Sequence, residues 1–114
     1  MASRLNIESL TKRFISAYEE KDIAAISAMF SPNVVLRDWN REVVGFNAAI
    51  AEFTSNFQAV ESLRIEIKNL VMSEVVAAAE LEIVINEVEN LRVVDVISFG
   101  EDQKILSIVA YKGL

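Results

Sequence analysis

The sequence contains no cysteine and no histidine. Without cysteine, the chain can form no disulfide, offer no thiolate ligand to a metal and attack no substrate through a thiol. Without histidine, it lacks the commonest metal ligand and the side chain that most often transfers protons near neutral pH. Any acid–base chemistry must therefore come from carboxyl groups, tyrosine or lysine with shifted pKa values.

Glycine and positive charge are also scarce. The three glycines form no phosphate-binding loop, and no loop has the ligand spacing of a calcium site, so we expect neither a cofactor nor a metal. A net charge of −6 without a basic patch argues against nucleic acids and anionic membranes as partners. No apolar run approaches the roughly 20 residues of a membrane span, and the first residues lack the apolar stretch of a signal peptide. We therefore expect a cytoplasmic protein.

The residues that are present predict one domain, 1–114, that begins with helices. A length of 114 residues suits a single domain, and 53% of hydrophobic residues suffice for its core. The spacing of apolar residues predicts helices over about 6–20, after Asp22 and after Gly45. Asn6 and Asp22 are the expected N-caps of the first two helices.

Strands dominate the second half. A short strand at 34–36 follows Ser31-Pro32-Asn33, which ends the second helix because the residue before a proline avoids helical geometry. Further strands are predicted at 63–68, 74–85, 91–99 and 104–111, with turns at 86–90 and 100–103. Helices followed by strands indicate an α+β domain with the helices on one face of an antiparallel sheet.

Both faces of the last hairpin are predicted to be apolar. With Phe99 paired to Lys104, one face carries Val93, Asp95, Ile97, Phe99, Leu106, Ile108 and Ala110. The other carries Val94, Val96, Ser98, Ile105, Ser107, Val109 and Tyr111. Three short helices can cover only one of these faces. We expect a homodimer to cover the other, unless a loop or the N-terminal segment does so.

These segments resemble the nuclear transport factor 2-like superfamily over nearly the whole chain, and most closely its ketosteroid isomerase and SnoaL-like branch. The resemblance rests on Lys12-Arg13-Phe14, Glu20-Lys21-Asp22, Met29-Phe30-Ser31-Pro32-Asn33, Val34-Val35-Leu36-Arg37-Asp38, Gly45, Ala48-Ala49-Ile50, the stretch 93–99, Lys104-Ile105 and Tyr111. It implies a cystatin-like cone, with about three N-terminal helices packed on a strongly curved mixed or antiparallel sheet. It also implies a pocket between helices and sheet, and dimers through the outer sheet face.

The resemblance assigns chemistry to two aspartates. Asp38 stands where the isomerases keep the general base that moves a proton beside a carbonyl. Asp95 stands where a protonated aspartic acid donates a hydrogen bond to the developing oxyanion. The alternatives are a turn carboxylate for Asp38, and an edge position or a buried ion pair for Asp95.

A departure from the isomerase pattern concerns the first helix. Phe14 occupies the position of the tyrosine that donates the second hydrogen bond, and it has no hydroxyl. Tyr18, one helical turn further on, could place a hydroxyl in the same pocket. Its alternative role is a core residue with the hydroxyl at the rim.

Other residues complete the predicted apolar site. Trp39 is expected to stack on a flat ligand and to shield a neighbouring carboxyl from water, or else to cover the core. Ligand contacts are predicted for Phe14, Trp39, Phe53, Phe57, Ile97 and Ile108, although Phe53 and Phe57 are, in the more ordinary interpretation, core residues like Phe30. Glu80 and Glu82 either share the Asp95 face or, in the more ordinary interpretation, lie on a solvated stretch of strand.

Two functional hypotheses follow. In the first, the protein binds a small apolar, ring-containing ligand and transfers a proton beside its carbonyl, using Asp38, Asp95 and Tyr18. In the second, it is a non-catalytic dimerisation or ligand-carrier module, which Phe14 and the lack of histidine favour. A cyclase or hydrolase of the same fold is a third possibility. The hydrolase would need an arginine between two pocket aspartates.

Overall fold

The computed structural model of the protein describes residues 4–113, with side chains from residue 6 onward. Three helices and six strands follow one another along the chain. They are α1 (Arg4–Glu19), α2 (Ile23–Met29), β1 (Phe30–Arg37), β2 (Glu42–Val44), α3 (Phe46–Gln58), β3 (Leu63–Met72), β4 (Val76–Ile85), β5 (Glu89–Phe99) and β6 (Ile105–Lys112).

The six strands form one mixed sheet in the order β2-β1-β6-β5-β4-β3. β1 runs parallel to β6, and the other neighbouring strands are antiparallel. The helices pack on one face of this sheet, so the predicted α+β architecture is confirmed. None of the helices in residues 4–113 is long and apolar enough to cross a membrane.

Local signals explain most helix boundaries. The Asp22 carboxylate accepts a hydrogen bond of 3.0 Å from the Ala25 N–H, which confirms it as the N-cap of α2. The prediction for Asn6 is wrong, because α1 is already helical at Arg4. The proline segment does end α2, but the chain enters β1 at Phe30 without a loop. β2 was not predicted, since three residues are too few to show alternation.

The predicted register of the last hairpin is wrong at its turn. Phe99 pairs with Ile105 instead of Lys104, and Ser98 pairs with Ser107, so Leu106 is an extra residue in β6. This bulge exchanges the two predicted faces locally. Ile105 is fully buried in the core, whereas Leu106 is 43% exposed on the outer face. Beyond the bulge the predicted faces are correct: Asp95 pairs with Ala110, and Ile97 with Ile108.

An aromatic cluster fills the space between helices and sheet. Its ring centroids lie 4.8–6.3 Å apart, and its members are Phe14, Tyr18, Phe30, Phe53 and Phe57. α1 and α3 each supply two of these rings, and the fifth belongs to Phe30, the first residue of β1, directly after α2. The cluster fixes the two helices against each other, and one side of it borders the cavity described below.

Candidate functional site

A cavity of about 150 Å³ lies between the helices and the inner face of the sheet. That volume is comparable to a cavity that holds one benzene ring. Its apolar walls include Phe14, Phe53, Leu36, Leu81, Ile83, Val93 and Ile108. Its polar side chains are Tyr18, Arg37, Asp38, Arg41, Glu52, Asn56 and Asp95. A few polar groups in an apolar cavity are typical of a small-molecule site.

Asp95 reaches the cavity from the middle of β5. The alternation of the strand directs it inward together with Val93 and Ile97, which are buried. No hydrogen bond or ion pair joins its carboxyl to another described residue, so the predicted alternative of a buried ion pair is not found. Burial raises the pKa of Asp95 to about 7. Much of its population is therefore a neutral acid at neutral pH, able to donate a hydrogen bond.

Tyr18 reaches the same cavity from α1, next to Phe14. Burial raises the pKa of its hydroxyl to about 12, and the nearby charges of Asp95, Glu52 and Asp38 act in the same direction. A hydrogen bond with the Asn56 side chain acts in the opposite direction. The hydroxyl thus stays protonated throughout the physiological pH range, and it can donate a hydrogen bond inside the cavity.

Asp38 both lines the cavity and belongs to a turn. It lines the cavity, directly after β1. One of its carboxylate oxygens, Oδ1, also accepts hydrogen bonds from the N–H groups of Asn40 (2.7 Å) and Arg41 (2.9 Å). This oxygen therefore holds the turn between β1 and β2, and only Oδ2 remains for a ligand.

Four polar residues of the site, Arg37, Arg41, Glu52 and Asn56, were not predicted from the sequence. Glu52 and Asn56 lie one turn apart on α3 and flank the apolar stripe of Phe53 and Phe57, a pattern that could have revealed them. Arg41 comes from the turn after β1, and its Nη1 lies 2.8 Å from Oε1 of Glu52. Arg41 therefore pairs with a glutamate of α3.

The predicted apolar residues separate into two groups. Phe14, Trp39, Phe53 and Ile108 line the cavity, while Phe57 and Ile97 do not. Phe57 instead packs edge-on against Tyr18, with ring centroids 4.8 Å apart, and Ile97 is fully buried in the core. Alternation alone places Ile97 on the inner face, but it cannot tell a cavity wall from filled core.

Trp39 stands at the mouth of the cavity. Its side chain is 45% exposed, and the Lys112 ammonium lies 5.8 Å from the ring centroid. It borders the opening without sealing it. Within the described part of the chain, no group of three acidic residues could hold a metal ion.

Glu80 and Glu82 lie on the opposite face of the sheet from Asp95. They pair across β4 and β5 with Val94 and Arg92, whose side chains alternate with the inward residues. The more ordinary of the two interpretations is therefore the right one, and these glutamates do not make the cavity acidic.

Several solved structures share this fold. A SnoaL-like protein of unknown function from Burkholderia thailandensis has 12% identity and a TM-score of 0.84, and the match covers 99% of this chain and 98% of that one. A candidate ketosteroid isomerase from Kribbella flavida has 10% identity and a TM-score of 0.85, covering 100% and 82%. The epoxide hydrolase/cyclase-like enzyme SalBIII, described for its role in pyran ring formation in the polyether salinomycin, has 22% identity and a TM-score of 0.80, covering 94% and 90%.

These likenesses show the fold, since all are at low identity. No curated protein matches the sequence. The sequence model of the SnoaL-like domain matches residues 11–108, which is most of the chain and includes Tyr18, Asp38 and Asp95. The predicted place in the nuclear transport factor 2-like superfamily is thereby confirmed. The chain belongs to the SnoaL-like domain family.

Proposed function

We propose that the cavity binds a small, uncharged, ring-containing carbonyl compound and that the protein moves a proton from the carbon beside its carbonyl to another carbon of the same ligand. The observation that supports this most is that the Tyr18 hydroxyl and the Asp95 carboxyl line one apolar cavity, where burial raises the pKa of both groups and so favours their hydrogen-bond-donating forms. Both would donate hydrogen bonds to the carbonyl oxygen. The cavity volume suits one ring, and its mostly apolar walls suit an uncharged ligand.

The donors would act mainly on the charge that develops during the reaction. When a proton leaves the carbon beside a carbonyl, the oxygen becomes more negative, and donors fixed in a water-poor site stabilise it strongly. Phe14 removes one expected donor, and Tyr18 supplies a hydroxyl from the next turn of the same helix. A carboxylate at the cavity mouth would take the proton. The family resemblance assigns this task to Asp38.

The test is deuterium exchange beside the carbonyl of cyclohexanone and cyclohexenone in D₂O, followed by NMR. The wild-type protein should accelerate exchange over buffer. Tyr18→Phe removes only a hydroxyl, and Asp95→Ala removes the carboxyl; each should lower the rate about a hundredfold. Glu80→Gln is the matched control, because it removes a carboxylate from the other face of the sheet. Wild-type exchange no faster than buffer would refute the proposal.

A ligand carrier without catalysis is the second candidate. Two observations favour it: Phe14 has no hydroxyl, and one oxygen of Asp38 is engaged in a turn. A carrier would bind the same ketones with saturation and leave their exchange rate unchanged. Binding measured by ligand-observed NMR on the same samples separates the two functions.

We also propose that the protein is a homodimer through the outer face of the sheet. Val94, Val96, Val109 and Tyr111 form an apolar strip there, on which none of the described helices packs. Sedimentation at micromolar concentration should give twice the 12.7 kDa mass of the chain. Val96→Glu should give the monomer, whereas Val88→Glu, at an exposed turn, should leave the dimer intact.

A further inference from the structure

Two carboxylates at the cavity mouth could take the proton, Asp38 and Glu52. We propose that Glu52 on α3, and not Asp38, is the proton acceptor of this site. The inference rests on the proposed function, since it names the base of that reaction. The family resemblance assigns no role to Glu52. The proposal rests on its position in the cavity and on its contacts.

Asp38 is constrained by the turn that it holds. Its Oδ1 accepts two backbone hydrogen bonds, from Asn40 and Arg41, and its own N–H donates to the Arg41 carbonyl at 3.0 Å. These three bonds fix the carboxylate to the turn. Its orientation is therefore explained by the chain reversal between β1 and β2, without any role in the cavity.

Glu52 has no such structural task in its own helix. It lies in the middle of α3, and 84% of its side chain surface is removed from solvent, since 16% is exposed. Its charge also acts more strongly than that of Asp38 on the Tyr18 hydroxyl, whose pKa is raised by both. Of the two carboxylates, Glu52 is thus the one more closely coupled to a hydrogen-bond donor of the site.

The Arg41 guanidinium holds Glu52 in place without occupying both of its oxygens. Arg41 Nη1 contacts Oε1 at 2.8 Å, which leaves Oε2 with no hydrogen bond to another described residue. The Arg41 side chain is 63% exposed, so water screens much of its charge. This geometry orients Oε2 and leaves it without a partner among the described residues that would compete for an incoming proton.

The reaction would be a balanced proton shift. The C–H bond beside the carbonyl breaks, the proton goes to Oε2 of Glu52, and the bond's electron pair forms a carbon–carbon double bond. The carbonyl π electrons move to the oxygen, which accepts hydrogen bonds from Tyr18 and Asp95. The proton then returns from Glu52 to a carbon of the same ligand, so no oxidant, reductant or second reactant is needed.

Deuterium exchange of cyclohexenone separates the two carboxylates. Glu52→Gln should lower the rate by a hundredfold or more, which is the usual contribution of a general base. Asp38→Asn should lower it less than tenfold, because the asparagine Oδ1 can accept the same two turn hydrogen bonds. Arg41→Gln breaks the same ion pair as Glu52→Gln but retains the carboxylate, and it should also lose less than tenfold.

The outcomes distinguish this inference from the proposed function. An active wild type whose exchange is lost in folded Asp38→Asn and kept in Glu52→Gln would overturn the role of Glu52 and leave the function standing. An inactive wild type would overturn both. If Glu52→Gln does not fold, Asp38→Asn still decides, since a hundredfold loss there contradicts the proposal.

Discussion

A carboxyl group has different surroundings on the two faces of the sheet. On the outer face, Glu82 of β4 lies 3.8 Å from the Lys68 ammonium and 3.4 Å from Nε of Arg92. On the inner face, Asp95 of the neighbouring strand has no ionic or hydrogen-bonding partner among residues 4–113, and burial raises its pKa to about 7. One carboxyl is paired at the surface, and the other is held in an apolar cavity.

The difference shows that the environment and not the residue type creates a chemically active group. A buried carboxyl without a partner favours its neutral form, because charge is costly to remove from water. Such a group lowers the stability of the fold, and groups of this kind are concentrated at functional sites. The inner face therefore contains a buried, unpaired carboxyl that lowers the free energy of unfolding at neutral pH, and the outer face, over the described residues, contains none. This unfavourable burial is the physical reason for placing the function in the cavity.

Substitutions of neighbouring residues of β5 should differ clearly in their effect on the stability of the protein. Ile97 is fully buried on the inner face, and Ile97→Ala should destabilise the protein by about 3 kcal/mol, since it leaves a cavity in packed core. Val96→Ala, on the outer face, should cost about 1 kcal/mol in a monomer. Urea unfolding measures both. If the outer face is a dimer interface, the Val96→Ala cost should instead depend on protein concentration. Equal costs in a monomer would remove the distinction between the faces.

The pH dependence of stability should reveal Asp95. Its folded pKa of about 7 lies above the ordinary aspartate value of 3.8, so the native state binds more protons than the unfolded state between these pH values. The stability that Asp95 contributes is present below about pH 4 and is lost as the pH rises through about 7. Relative to Asp95→Asn, the wild type should thus lose roughly 4 kcal/mol between pH 4 and 8.

Comparison with the variant matters because the other acidic residues also titrate. Urea unfolding of both proteins at several pH values gives the difference directly, and shared contributions cancel. A difference that stays constant with pH would mean that Asp95 titrates like an exposed aspartate.

The sequence predicted the architecture well, because the fold follows from periodicity. Helical and strand periods, the Asp22 cap and the proline after α2 are local signals, and all of them are present in the structure. The register at Phe99 could not be predicted, since one extra residue in β6 moves Leu106 outward and leaves no trace in the alternation of its neighbours.

The site was predictable only in part. Asp38 and Asp95 were found through the family resemblance, and Tyr18 because it lies one helical turn after Phe14; the structure brings all three to one cavity. Glu52 was missed because a glutamate on an amphipathic helix is normally a solvent-facing residue. The packing of α3 beside the turn after β1 turns it towards the cavity, where Arg41, eleven residues earlier in the chain, pairs with it.

Thr11 is a second buried polar residue, and its unpaired group is a hydroxyl and not a carboxyl as in Asp95. It is fully buried on α1, and its hydroxyl oxygen has no hydrogen-bond partner among the described residues. Thr11→Val has nearly the same shape and removes the unsatisfied group, so it should stabilise the protein by about 1 kcal/mol. Thermal unfolding of the variant checks this. A loss of stability would mean that the hydroxyl is satisfied in solution.

The outer ion pairs should have the smallest effect. Glu82→Gln weakens the contacts with Lys68 and Arg92, all of which are partly exposed, and should cost less than about 1 kcal/mol. The cost should decrease further as salt is added, because exposed charges are screened. Unfolding at low and high ionic strength measures it. A larger, salt-independent loss would show that the outer face is more buried than in the single chain.

The most direct test of the account is the pKa of Asp95 itself, measured by ¹³C NMR of the side-chain carboxyl carbon and assigned with Asp95→Asn. We predict a titration midpoint near pH 7 for Asp95, well separated from the midpoints of the other aspartates, and a change in that midpoint when a cyclic ketone is bound. A midpoint near pH 4 would mean that Asp95 is an ordinary ionised carboxylate at neutral pH, and it would contradict the proposed hydrogen-bond donor.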